Sequence, residues 1–357
     1  MSRRQPARLD GAPVTVSAET DALVIESPTA PTRSLDWVDV DRVVEGDHRV
    51  ELSLADGSSV GLTALGATHD RFMEELRAAR RRSRFAALTI TTDEPTVSLV
   101  SRAPTGIADV HFFDRVLVHE PRDGFPTAVP YSLIERVERD GYSITVTATG
   151  LDALTVSALG VKTDEFLERW AGGREQSRRS IAEAYAAASE SLRGIDAADG
   201  VAVTATRAGR FWPALRDLAL AGSRSEGVSR LLEWAGERAA IGMFTAGGDV
   251  SSGSSEAMTF LLAPVSTGAG DRIVVEATDG DDRATFVFAD VDPARLNAAL
   301  VLTNFRREAI FLPDEQLGRW AVGARTWAIV REARAHLVGR VVHDEHWQER
   351  LSTLLGR

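Results

Sequence analysis

Leu62-Thr-Ala-Leu-Gly-Ala-Thr-His-Asp-Arg-Phe-Met-Glu-Glu-Leu76 returns 94 positions later as Val156-Ser-Ala-Leu-Gly-Val-Lys-Thr-Asp-Glu-Phe-Leu-Glu-Arg-Trp170. Ala64, Leu65, Gly66, Asp70, Phe72 and Glu74 recur as Ala158, Leu159, Gly160, Asp164, Phe166 and Glu168. A repeat on this scale means one supersecondary unit used twice, and it decides the architecture before any local reading does.

The match extends upstream without a gap. Leu23-Val-Ile-Glu26 stands opposite Leu117-Val-His-Glu120, and Arg42-Val43 opposite Arg136-Val137. Val50, Leu52 and Leu54 align with Ile144, Val146 and Ala148, and Val60, Leu62 and Ala64 with Leu154, Val156 and Ala158. Period-two alternation predicts half-buried antiparallel strands. A slip of one residue would turn every one of these side chains to the opposite face, so the kept register outweighs the few identities.

Asp56-Gly57 and Gly150 supply turns between the strands. Gly66 and Gly160 then break each strand, and Asp70 and Asp164 open an acidic first helical turn. Phe72, Met73 and Leu76, like Phe166, Leu167 and Trp170, fall on one helical face. Each unit therefore reads as short strands followed by one amphipathic helix. The first runs from about residue 14 to 85, the second from about 108 into the 170s, with Thr91 to Pro95 as a linker and Val97 to Val100 as an early strand of the second.

The last third reads differently. Phe211 to Trp234 predicts two short helices, Met258 to Val265 a strand, and Arg272–Thr278 with Arg283–Phe288 a hairpin. Asp292-Pro293 starts a helix through Leu296, Ala299, Leu300 and Leu302. Helices over Asp314–Leu337 and His343–Leu355 close the chain. Hairpin followed by helix is the order of the repeat, so a diverged third copy is one reading.

The fold class expected is α+β. Tandem small antiparallel β-barrels or sandwiches, each closed by a C-terminal amphipathic helix, precede a mixed α/β C-terminal region. Boundaries fall at residues 1–88, 96–192 and 196–357. Strands closed by one amphipathic helix, in tandem, resemble the pleckstrin-homology-like fold found in many bacterial proteins. That resemblance implies a bent antiparallel barrel or sandwich with its open end under the helix. It also implies a recognition module for peptides, proteins or phosphoinositides. The basic lipid-binding loop of the eukaryotic members is absent, so lipid recognition is not carried over.

Composition narrows the chemistry. Lys162 is the only lysine, an arginine bias expected of a GC-rich, actinobacterial-type bacterial genome. A net charge of −11 disfavours phosphate backbones and anionic lipid for the chain as a whole. No cysteine is present, which excludes disulfides, thiolate catalysis and cysteine-ligated metals. The N-terminal residues carry no apolar signal core and no run is long enough to span a bilayer, so the expected location is the cytoplasm.

Candidate sites are few. Arg77, Arg80, Arg81, Arg82 and Arg84 cluster at the end of the first helix. They either complement its C-terminal dipole or form an electropositive patch for an acidic protein, a membrane surface or nucleic acid. Arg174, Arg178 and Arg179 lie in a similar place in the second unit. Trp320, Trp327 and Trp347 sit on predicted terminal helices, as core or as partner anchors. His343 and His346 with Glu349 offer a metal-like face, but not the i, i+4 spacing of zinc peptidases. Asp279 to Asp290 lacks the glycine of a calcium loop, having Ala284 in its place. Gly222-Ser-Arg-Ser-Glu-Gly227 has the wrong glycine spacing for a nucleophile elbow. No phosphate loop or dinucleotide fingerprint occurs, and no catalytic, cofactor or metal residue is assigned.

The expectation is a non-catalytic binding or scaffold protein that recognises a protein or peptide partner, with nucleic acid disfavoured. Anionic-membrane binding through the Arg77–Arg84 face is the second reading, and an enzyme in the C-terminal third a third.

Overall fold

The computed structural model of the chain describes residues 3–46, 48–54, 57–87, 95–103, 106–121, 126–223, 226–245, 257–268, 270–279, 282–306, 308–313, 316–317 and 328–357. It is an α+β structure with antiparallel sheets of seven, seven and six strands.

The first unit contains β1 (Gln5–Leu9), β2 (Ala12–Ala18), β3 (Ala22–Glu26), β4 (Arg33–Asp36), β5 (Val40–Gly46), β6 (Arg49–Leu54), β7 (Ser59–Thr63) and helix α1 (His69–Ala87). Its sheet order is β4-β3-β2-β1-β7-β6-β5. The seam between β1 and β7 is short, pairing only Arg8 with Thr63 and Leu9 with Leu62. Both halves of the sheet and the helix bury side chains in one core, among them Val16, Ile25, Leu52, Leu62, Phe72 and Leu76. The alternation read from the sequence is the buried set: Val50, Leu52, Val60 and Leu62 are at most 2% exposed.

Among the described residues none of the sheets closes into a barrel, which corrects the barrel half of the barrel-or-sandwich expectation. β4 and β5 lie at opposite ends of the sheet and do not pair. A 3-10 turn, Trp37–Asp39, joins them and packs against α1. Trp37 fills the corner completely, and its indole Nε1 donates to the Glu19 carbonyl at 2.9 Å.

The second unit repeats this plan with β8 (Val97–Ala103), β9 (Gly106–Phe112), β10 (Val116–Pro121), β11 (Thr127–Pro130), β12 (Ile134–Asp140), β13 (Ser143–Ala148), β14 (Leu154–Ser157) and α2 (Thr163–Ala188). Its order, β11-β10-β9-β8-β14-β13-β12, is the same permutation. The likeness reaches irregular details. β5 shifts register between Val40 and Arg42, and β12 between the equivalent Ile134 and Arg136. Ala64 and Ala158 both take left-handed backbone, at φ 59° and 57°, unusual for a residue with a Cβ. Each helix is then entered through a 3-10 turn, Gly66–Thr68 or Gly160–Lys162. The N-terminal strand β1, which sequence pattern did not reveal, contains Pro6 and Arg8 and shows no clean apolar alternation.

The third sheet does not share that order. β15 (Val203–Thr204), β16 (Ala240–Phe244), β17 (Met258–Thr267), β18 (Gly270–Asp279), β19 (Asp282–Ala289) and β20 (Leu337–Val341) run consecutively as a meander. A diverged third copy would reproduce the permuted order, so the shared hairpin-then-helix pattern belongs to a different topology here. After the short α3 (Ala205–Ala208), α4 (Trp212–Ser223) and α5 (Glu226–Ala235) cover one face, joined by the last helix. The other face takes α6 (Pro293–Leu302), α7 (Glu308–Phe311) and α8 (Ala328–His336). Asp292 caps α6 as expected, accepting from Ala294 N at 2.8 Å and Arg295 N at 3.0 Å. Two expectations change. The helix expected to reach Leu337 stops at His336, where β20, a strand that sequence pattern did not reveal, begins, and the last helix, α9 (Trp347–Leu355), begins at Trp347 rather than His343.

The cores show how the units are joined. The first unit has a core to itself. The second unit's core is continuous with one face of the third sheet, through Phe244, Phe260, Phe286, Leu296 and Leu300. Helix α2 spans both. Phe166 lies in the second unit's core, whereas Ile181, Ala184 and Tyr185 lie in the core on the far face of the third sheet. Tyr185 Oη accepts from Met243 N at 3.1 Å. Burial pushes the Tyr185 hydroxyl far above its ordinary range, so it stays protonated. Gly150 lies so close to the Ala294 carbonyl that a Cβ there would overlap it.

Candidate binding groove

One stripe of α1 organises the surface of the first unit. Arg77, Arg81 and Phe85 recur every four residues, which places them on the same helical face. Arg77 Nη2 pairs with Glu45 on β5. One turn on, Arg81 reaches the second unit, donating from Nε to Glu120 Oε2 at 2.8 Å and from Nη2 to Asp109 Oδ2 at 2.9 Å. One turn further, Phe85 enters the second unit's core.

Phe85 decides the junction. Burying a phenylalanine contributes roughly 1.5–3 kcal/mol, whereas Arg81, itself 41% exposed, gains less from its pairs with Asp109 and the largely buried Glu120, because solvent-screened ion pairs contribute about 1 kcal/mol or less. Phe85 also meets two rings edge-on, Phe113 at 5.3 Å and His111 at 5.0 Å between centroids. His111 is fully buried, with Nδ1 2.8 Å from Ser98 Oγ and Nε2 3.2 Å from Glu120 Oε2. Burial pushes the Glu120 carboxyl up, but the His111 hydrogen bond and the Arg81 guanidinium together hold it below its ordinary value. Its neighbour His119 is held down by burial and by His111.

Between β5 and α1 lies a cleft of about 410 Å³ lined by Val43, Val44, Leu76, Arg77 and Arg80, and closed at one end by Pro121, Asp109 and Glu120 of the second unit. β5 stands at the end of its sheet and pairs only with β6 among the described strands. Val44, 39% exposed, is one of the few large apolar side chains left in solvent. A strand edge beside a helix, with apolar side chains between, is the geometry that accepts an extended segment as an added strand.

The sequence-derived candidates separate on the structure. Arg77 and Arg81 are drawn together by the stripe and hold internal carboxylates. Arg80 is buried, and its Nη2 donates to the Val40 carbonyl at 3.4 Å. Arg82 is exposed. The side chain of Arg84, and the whole of Trp320 and Trp327, lie outside the described residues. Trp347 is 5% exposed and is core: its Nε1 donates to Thr285 Oγ1 at 2.8 Å, and its ring stacks on His343 at 5.1 Å.

That last cluster contains a threonine, a histidine and a buried glutamate, yet it is not a relay. Thr285 Oγ1 and Glu276 Oε1 approach the same ring nitrogen of His343, Nε2, at 2.8 and 2.9 Å. A nucleophile and its orienting acid need opposite nitrogens. The hydroxyl proton goes to Glu276 and a lone pair accepts from Trp347, so the threonine is held as a structural node.

His343 faces inward and His346 lies at the N-cap of α9, so the two do not share the helical face expected of them. Among the described residues two other sets gather metal-type donors, Glu45–His69–Asp70 and Asp109–His111–Glu120. Sequence could not pair them, because each joins positions from separate strands or a strand and a helix. The i, i+4 spacing of Arg77, Arg81 and Phe85 was the one legible sign of the junction.

No described helix is long and apolar enough to cross a membrane. No family profile and no characterised protein matches the chain. Among solved structures, the Spt16D Pob3N heterodimer is similar over 43% of this chain and 93% of that one, at 13% identity and a TM-score of 0.20. A likeness that low carries no argument about fold or function.

Proposed function

We propose that the protein is a non-catalytic binding module of tandem pleckstrin-homology-like units. Its first unit accepts an extended peptide from a protein partner along β5, beside α1. The cleft between the outer strand and the helix carries this reading: it joins an end strand, the exposed Val44 and a partly apolar lining. Backbone pairing along β5 would supply affinity, and pockets for alternate side chains would supply selection.

The charges around the cleft favour a peptide over a phosphate-bearing ligand. Arg81 already bridges Asp109 and Glu120, so a phosphate would have to break that pairing to be bound. The same pairing weakens the anionic-membrane reading of this helix. The single nitrogen shared by Thr285 and Glu276 weakens the enzyme reading of the C-terminal third.

The test is comparative capture from cells that express the protein natively, using the full chain and a Val44→Arg variant. A stoichiometric protein partner retained by the first and lost by the second is the expected result. A partner retained equally by both would remove the groove from the interaction.

A further inference from the structure

We propose that Glu45, His69 and Asp70, completed by His48, bind a first-row divalent cation of the zinc class. The donor atoms of the first three lie within 4.8 Å of one another. His69 Nδ1 is 3.2 Å from Asp70 Oδ1 and 3.8 Å from Glu45 Oε1. The His69 side chain is only 9% exposed, so its position is fixed by packing where β5 meets the first residue of α1. Its other nitrogen, Nε2, is buried without a hydrogen-bond partner. The ring therefore has no hydrogen bond besides that to Asp70 to give up when Nδ1 turns to a cation.

The remaining donors can converge. Asp70 is 99% exposed on the first turn of α1, so no packing holds its carboxylate in one rotamer. His48, at the β5–β6 turn with a left-handed φ of 53°, lies edge-on to His69 with ring centroids 5.9 Å apart. Two imidazoles and two carboxylates are the donor set of a four-coordinate zinc-type ion. Calcium and magnesium prefer all-oxygen sites. Coordination through Nδ1 uses the tautomer of His69 that carries its single ring proton on Nε2.

Two features oppose a cation here, and both are outweighed. The positive end of the α1 dipole is close, but it amounts to about half a charge against two carboxylates. Arg77 holds Glu45 through Oε2, leaving Oε1 toward His69, and an ion pair this exposed is weak. The Asp109–His111–Glu120 set differs on this point. There the Arg81 guanidinium already bridges both carboxylates, and both His111 nitrogens are engaged. The cation position is taken by arginine.

Calorimetric titration of the full chain with zinc chloride, paralleled by cobalt(II) absorption, tests the site without any partner present. One saturable site is expected, with four-coordinate cobalt bands. Asp70→Asn and His48→Ala, both at exposed positions, should each weaken it by roughly tenfold or more, and His346→Ala should leave it unchanged. His69→Ala should abolish it, but because that residue is buried the two exposed variants carry the decision. No saturable binding, or binding that is sensitive to His346→Ala and indifferent to Asp70→Asn, would overturn the proposal.

Discussion

The ring of Phe85, at the end of the first unit's helix, lies edge-on to the fully buried imidazole of His111 in the second unit, with centroids 5.0 Å apart. A helix that closes one sheet thus ends inside the core of the next. The two units are fixed to one another through that side chain, and the second unit's strand ends form one wall of the groove beside the first unit's helix.

Phe85→Ala should cost about 3 kcal/mol by leaving a cavity in the second core. The first unit keeps a core of its own, so the loss should appear in calorimetry as separation of its unfolding from that of the remainder. Arg81→Ala should cost only about 1 kcal/mol and leave the transitions coupled. A larger effect from Arg81 than from Phe85 would reverse the ranking of the two contacts.

Acid should destabilise the second unit in two stages. His119 has its pKa lowered by burial and by His111, so below its unfolded value of 6.5 the unfolded chain binds the proton more readily. Stability should therefore fall as pH drops from 6.5 toward the lower folded value. Glu120 is also held below its ordinary value of 4.5, so its contribution is present above that pH and is lost below it. Denaturant melts at pH 7.5, 5.5 and 4.0 check this, and His119→Asn should flatten the first stage alone.

Ala64→Gly and Ala158→Gly should each raise stability by about 0.5–1 kcal/mol. Both alanines hold a left-handed backbone that a Cβ disfavours by roughly 1–2 kcal/mol, partly offset by the greater freedom of glycine in the unfolded chain. Chemical denaturation midpoints decide the sign. Destabilisation by either variant would mean that the methyl group contributes more through packing than it costs in strain.

Gly227→Ala should destabilise the C-terminal region by about 1–3 kcal/mol, since a Cβ there would overlap the Trp347 ring. Trp347→Phe, which loses the bond to Thr285 but keeps a six-membered aromatic ring in the core, should cost less. Chemical denaturation midpoints compare the two costs.

Much of this architecture was legible in the sequence. The alternation of Val50, Leu52, Val60 and Leu62 against Ile144, Val146, Leu154 and Val156 is a buried-face pattern, and burial is what period-two spacing records. The left-handed Ala64 and Ala158 were hidden inside it, because alanine gives no sign of positive φ. The open sheet was hidden too: closure depends on whether β4 meets β5, and nothing local to Trp37 reports that distance. The arginine cluster could be seen but not its partners, since Asp109 and Glu120 lie on strands of the other unit. Strand β20 went unseen because Leu337–Val341 follows a helical run directly and is short, and it gains its strand form only by pairing with β19.

The most direct measurement is site-specific photo-crosslinking in native cells, with a photoreactive residue at Val44 on the rim of the groove and, as control, at Tyr142, 82% exposed on the β12–β13 turn. A discrete protein adduct from position 44, absent from position 142, is the result expected of a groove that receives a partner's segment. An adduct from the control position alone, or none from position 44 while the tagged protein still captures its partner, would contradict recognition through β5 and α1.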